Sequence, residues 1–227
     1  MADFRTHVTV SSLCGIAYGV AAVNPLGHPV ETAVLAGTLT AVGGMLPDLD
    51  SDSGRPVREM SSLFAAVVPL LAYERLRQVF HSQEGVFAAI VLLYGLIRYV
   101  VTPVFKYFTV HRGMYHSVPA MLIFGLIVYL EYHSPDRSTR LLLALGVMIG
   151  FFSHLLLDEI WSVGFDGVRI KLKSSAGSAV KFFSPAVWPN VVCYGVLGGL
   201  LFLAYMDFRG PTDRPVDVWE FLPVRKT

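Results

Sequence analysis

The sequence predicts an all-α fold: a multi-pass transmembrane helical bundle of about six or seven helices, with its polar motifs on one face. Three observations carry that expectation. The 227 residues are 54% hydrophobic and 15% charged, with a mean hydropathy of +0.56, whereas an ordinary soluble domain carries roughly 25% charged residues. The apolar residues come in blocks near the length that crosses a bilayer, about 20 mostly apolar residues. Acidic and imidazole side chains recur at or near the ends of those blocks. The net charge is +1, so there is neither a basic footprint for nucleic acid nor an acidic tail.

The blocks are residues 8–23, 30–46, 60–73, 86–105, 118–132, 141–157 and 191–206. The first follows a polar start with Asp3 and His7, and no small-residue cleavage site follows it. It reads as a retained helix rather than a removed signal. Asn24-Pro25-Leu26-Gly27 is a turn signal that makes a hairpin of the first two helices. The second block ends in the polar stretch DLDSDSGRPVR. The third is purely apolar only over residues 63–73 and then meets Glu74, Arg75 and Arg77. It is either a short span with a polar extension or a re-entrant segment. Arg98 interrupts the fourth block at a cost in lipid. It is expected to pair with Glu74 or Glu131, the alternative being a guanidinium that snorkels to a head group. Ser134-Pro135-Asp136 closes the fifth block. The sixth holds His154 and Asp158. A long polar connection, residues 161–184, then carries Arg169, Lys171, Lys173 and Lys181 and reads as an ordinary basic loop or one that attracts anionic lipid. Several blocks are short and would borrow interfacial residues or sit in a thin bilayer. Cys14 and Cys193 lie in apolar runs and read as small packing residues. Residues 1–206 form a single transmembrane domain, and residues 207–227 a polar C-terminal tail.

If seven helices alternate, His7, the Asp48/Asp50 loop, the loop 111–117 and the Asp158 end of the sixth block share one side. His28, His81 and His133 fall on the other. The motif side carries nine Lys and Arg, against four in the opposite loops and four in the tail. The positive-inside rule then sets the motif face cytoplasmic in a cell (inner) membrane, an excess that disappears once the tail is counted.

The motifs themselves suggest a metal. His154 and Asp158 lie four apart on one helix face, where an HxxxD spacing has few structural uses; the bland reading is a His satisfied by a carbonyl and an Asp that ends the helix. Asp48 and Asp50 flank Leu49, and alternating acids in an extended turn can aim two carboxylates at one ion. Alone they would read as a solvated loop, as His7 alone would read as a solvated terminal residue. His111 and His116 would stand about 140° apart on a regular helix. Both reach one metal only if the chain turns at Gly113; otherwise one binds metal and the other substrate. Arg112 offers a planar fork for phosphate or carboxylate, and Ser117 either caps the next helix or contacts substrate. Carboxylate and imidazole suit a divalent ion, zinc being favoured over manganese or magnesium, with donors enough for one or two ions. No GxSxG elbow is present.

Taken in order, Thr6-His7, Leu46-Pro47-Asp48-Leu49-Asp50, His111-Arg112-Gly113-Met114-Tyr115-His116-Ser117 and His154-Leu155-Leu156-Leu157-Asp158 resemble the YdjM-like family of predicted membrane-bound metal-dependent hydrolases. The resemblance spans roughly residues 6–185. It implies that His7, Asp48, Asp50, His111, His116, His154 and Asp158 form the metal-binding and catalytic set, with Arg112 and Ser117 auxiliary. Tyr115 departs from the small hydroxyl residue expected before the second His, a change that would narrow the pocket or alter substrate contact. A distant similarity to zinc-dependent phospholipase C and nuclease folds goes with it. The expected function is an integral membrane metal-dependent hydrolase using metal-activated water on a phosphoester or ester of a lipid or membrane-proximal substrate. His116 would act as ligand or general acid/base, His7 would close the site, and Arg112 would stabilise negative charge. The alternatives are a divalent-cation transporter or channel, whose ligands should lie near the midplane, and a non-catalytic metal-stabilised membrane protein.

Overall fold

Helices that are apolar on every side need lipid as their solvent, and such helices dominate the chain. The computed structural model describes residues 3–50, 55–102, 114–165, 170–172 and 181–210. The fold is all-α, with eight helices among the described residues, five of them in runs long and apolar enough to cross a membrane.

Helix α1 (Phe4–Val23) starts where Asp3 caps it, accepting from the Thr6 backbone N–H. Gly27, at φ 71°, takes the left-handed conformation that a tight turn asks of glycine. The chain returns as α2 (Val30–Gly43), followed by a 3-10 turn, Leu46–Asp50. Then come α3 (Arg55–Leu71), the short α4 (Tyr73–Val79) and α5 (Gln83–Leu96), which runs on as a π-helical turn, Ile97–Val101. Helix α6 (Val118–Glu131) is capped by Ser117, and α7 (Arg137–Ser162) is opened by Asp136, which accepts from the Ser138 and Thr139 backbone N–H groups. After α7 the polar connection holds two short antiparallel strands, β1 (Val163–Phe165) and β2 (Ile170–Leu172). Helix α8 (Val187–Arg209) ends the described chain.

The centre is a tight sheaf of α1, α2 and α7. Gly15 and Gly37 lie so close that a Cβ on either would strike the other's carbonyl oxygen. A Cβ on Gly43 would strike Val147 O, and one on Gly150 would strike Thr40 O. Small residues let helix backbones approach this way in lipid. The Tyr18 hydroxyl ties α1 to α7 by donating to Leu142 O at 2.8 Å. Helix α7 shows the division of faces: Leu143, Val147, Phe151, His154 and Leu155 are buried, while Leu141, Leu145, Ile149, Phe152 and Leu156 are turned outward.

The third apolar block behaves differently from its neighbours. Helix α3 is amphipathic and is not among the five spans. It nevertheless runs the length of the bundle. Its start packs near the 3-10 turn, Leu63, Val67 and Leu71 lie against the core, and Arg75 just beyond it donates to Leu130 O at 2.7 Å. The described motif residues His7, Asp48, His116, His154 and Asp158 gather at one end.

The opposite end is closed by polar contacts. Arg140 and Asp207, both buried, pair at 3.1 Å. The Tyr129 hydroxyl donates to Asp207 at 2.7 Å, Arg140 Nε donates to Tyr129 O at 3.0 Å, and Arg137 caps the end of α8 through Asp207 O and Gly210 O. His28 contacts Ser138, and His133 contacts Gln78.

Three expectations need adjustment. Arg98 pairs with neither Glu74 nor Glu131; those carboxylates lie beside Arg77 and Arg75, at 3.9 Å and 3.5 Å. The last helix runs to Arg209, past the boundary set at residue 206, because Arg140 and Tyr129 draw Asp207 inside. The connection after α7 contains a strand pair where no strand was expected. Cys14 and Cys193 are free and half-buried.

Candidate metal centre

Helix lengths bring the separate motifs to one level. The 14 residues of α6 rise about 21 Å. The short turn at residues 132–136 starts α7 beside the end of α6, so the same height is reached on α7 near Gly150 or Phe151. The two residues from Val118 back to His116, through the extended Ser117, add up to about 6–7 Å, to the level of His154. The two rings accordingly meet edge to face, with centroids 5.7 Å apart. His7, in the first turns of α1, stacks on His154 from the other side at 3.7 Å and 12°.

His154 is the hub. Its Nδ1 lies 2.8 Å from Gly44 O. A carbonyl oxygen can only accept, so Nδ1 carries a proton, and in the neutral ring Nε2 presents its lone pair. That Nε2 faces Asp48 Oδ1 at 3.6 Å and Asp158 Oδ2 at 3.8 Å. Asp158 Oδ1 in turn lies 3.2 Å from His7 Nε2. His7, His116, His154 and Asp158 are all buried, while Asp48 is 22% exposed and forms the accessible edge. Two groups can each enclose one ion with their ligand atoms within 4.8 Å of one another: His7, His154 and Asp158, and Asp48, His116 and His154. The structure thus draws together five of the seven ligand candidates.

The others divide. Ser117 is buried and caps α6, accepting from Ala120 N at 3.3 Å and donating to Met114 O. This is the local helix-capping role. Tyr115 turns its ring edge-on to Phe124, 5.6 Å away, against the core. His111 and Arg112 lie outside the described residues, as does the side chain of Asp50.

Gly44 is the participant that sequence reading missed. It contributes a main-chain oxygen, so no side chain announces it. The available signal is packing: a Cβ at Gly44 would fall on Ser11, and one at Gly150 on Thr40 O. Glycines at 43, 44 and 150 mark where α2 meets α7.

Residues 1–172 match the family model described as YdjM inner membrane protein. The chain belongs to this family. Comparison with curated proteins and with solved structures finds no match. The YdjM match takes in all five clustered residues and ends before α8. A YdjM inner membrane assignment fits the five apolar runs and a location in a lipid bilayer.

Proposed function

We propose that this YdjM-family protein is an integral membrane metal-dependent hydrolase, acting on a phosphoester or ester of a lipid or another membrane-proximal substrate. One observation carries the reading. The unprotonated Nε2 of His154 faces two carboxylate oxygens, at 3.6 Å and 3.8 Å. These acceptors close into two neighbouring groups around that nitrogen, His7 with Asp158 and Asp48 with His116, and acceptors that face one another repel unless a cation lies between them. Those separations are too long for hydrogen bonds but close to the edge of a tetrahedron with bonds of about 2.0–2.1 Å, roughly 3.3–3.4 Å. An imidazole-rich donor set favours zinc over magnesium. His154 has one nitrogen to give, because Gly44 O holds the other, and both candidate groups need it. The described residues therefore suit one ion.

A divalent ion held there supplies Lewis-acid activation of water and of an ester or phosphoryl oxygen. The chain's own residues do the rest. Gly44 O fixes the His154 ring and its tautomer. His7 hydrogen-bonds and orients Asp158. Asp48, at the accessible edge, meets incoming substrate and solvent. His116, buried beside His154, serves as a ligand or as the general acid/base, and Arg112 stabilises developing negative charge. A cation transporter would need ligands at the midplane with access from both ends. Five candidate residues gathered at one end, with Arg140 and Asp207 packed at the other, support the hydrolase instead. The positive-inside count favours a cytoplasmic motif face.

Metal analysis of detergent-purified protein tests the reading. About one zinc per chain is expected in wild type, and well under half of that in His154→Ala and Asp158→Ala. Unchanged metal content in both variants sinks the proposal. Release of product from a panel of phosphoesters and lipid esters, lost in the same variants, then separates an enzyme from a metal-stabilised scaffold.

A further inference from the structure

Among the described residues, Arg98 is a cation without an anion. It sits in the π-helical turn Ile97–Val101, in the second half of the fourth apolar block. Among the described residues no carboxylate lies within ion-pair distance of it; Glu74 and Glu131 are beside other arginines. Its Nε–H donates to Ser62 Oγ on α3 at 2.9 Å, and its guanidinium lies 5.7 Å from the centre of the Tyr99 ring. The two remaining NH2 groups of the fork have no protein partner among the described residues. An unpaired arginine in a span costs about 2.5–3.5 kcal/mol at the helix centre by insertion scales, and such residues usually mark a function.

Three features make this a built position rather than a stray charge. The Ser62 bond orients the fork, and an oriented guanidinium matches a phosphate through two parallel bonds. The backbone is locally widened, with the Thr102 hydroxyl donating to Ile97 O at 2.8 Å, and π-helical turns recur at functional sites. The depth also suits a head group. Arg98 lies in the second half of the fourth apolar block, residues 86–105, so its long side chain snorkels toward that end. That is the end of the bundle where α3 meets the Asp48 turn.

The surroundings name the ligand. Helix α5 is an outer helix, and Leu92, Leu96, Tyr99 and Val100 are exposed on it. An anion arriving at Arg98 through that surface brings acyl chains with it. We propose that Arg98, oriented by Ser62, binds the phosphate of a phospholipid from the leaflet on the metal-centre end, with the acyl chains lying along the exposed stripe Leu92, Leu96 and Tyr99. This site stands whether or not the metal centre is catalytic.

The test is native mass spectrometry of the full chain in detergent, titrated with phosphatidylglycerol, diacylglycerol or inorganic phosphate. Wild type should bind one phosphatidylglycerol, with diacylglycerol bound far more weakly. Millimolar phosphate should leave the lipid adduct in place. Arg98→Gln should weaken that adduct by about tenfold, the value of one charge-assisted contact, and Arg98→Lys should weaken it less. Ser62→Ala keeps the cation and frees it, so about threefold weakening is expected. Wild-type affinity in Arg98→Gln, or in Ser62→Ala should the first variant fail to fold, overturns the proposal. Equal binding of diacylglycerol overturns it too, and displacement of the lipid by inorganic phosphate makes this a free-phosphate site instead.

Discussion

The costs of removing each partner of the Arg140–Asp207 pair alone should sum to far more than the cost of removing both. Arg140 is 2% exposed and Asp207 1%, so a charge stranded by a single substitution stays away from water. Breaking such a pair costs about 3–5 kcal/mol. Asp207→Leu also takes the acceptor from the Tyr129 hydroxyl, adding about 1 kcal/mol for a buried donor left unpaired. It spares the Arg140 Nε bond to Tyr129 O and the stacking of Arg140 over the Tyr129 ring at 4.2 Å. We expect about 4–6 kcal/mol for Asp207→Leu and about 3–5 kcal/mol for Arg140→Leu. The double variant leaves no stranded charge and should cost about 2–4 kcal/mol, a coupling of at least about 3 kcal/mol. Equilibrium unfolding of all four proteins in one detergent measures the cycle. Additive single costs, or a cost under about 1 kcal/mol for either, would refute the reasoning, since the pair would then behave like solvated surface charges.

Two further substitutions probe the frame around the centre. In Gly150→Ala the new Cβ falls on Thr40 O and the α2 end near Gly44 must move; a loss of about 1–3 kcal/mol is expected from overpacking, together with reduced metal retention, and a variant with wild-type stability and metal content would contradict that packing. Hydrogen bonds from Thr139, first among several causes, hold the Asp136 carboxyl below its usual 3.8. The stability this contributes is complete above the unfolded pKa and is lost as pH falls through the lower folded value. Asp136→Ala should flatten that acid limb in a pH series of unfolding midpoints and cost about 1 kcal/mol at neutral pH as a lost cap.

The long helices were legible because lipid selects composition: an apolar run of the right length needs no tertiary partner to be read. What escaped depended on residues distant in sequence. Asp207 reads as the start of a polar tail until Arg140, 67 residues earlier, reaches it. Strands of three residues, Val163–Phe165 and Ile170–Leu172, are too short for an alternating pattern to show. Arg98 was expected beside Glu74 or Glu131 because the count of charges offered them, whereas the packing of α4 on α6 gives Glu131 to Arg75. In the site, the spacing of His154 and Asp158 was readable from one helix. His7 entered the candidate set only through the helix alternation and the family resemblance, since its contact with His154 depends on how closely α1 nests against α2 and α7. The curated comparisons add no residue role, so the family match bears on membership and membrane location, while the clustering of five side chains rests on the geometry alone.

The bond from His154 to the Gly44 carbonyl has a consequence for how this centre can change over evolutionary time. A side chain that tunes a histidine can be exchanged in a single mutation, and its influence is then gained or lost. A peptide oxygen belongs to the chain at any residue, so no substitution at position 44 deletes it, and a larger residue there collides with Ser11. The donor strength of His154 is thereby inherited with the helix crossing itself.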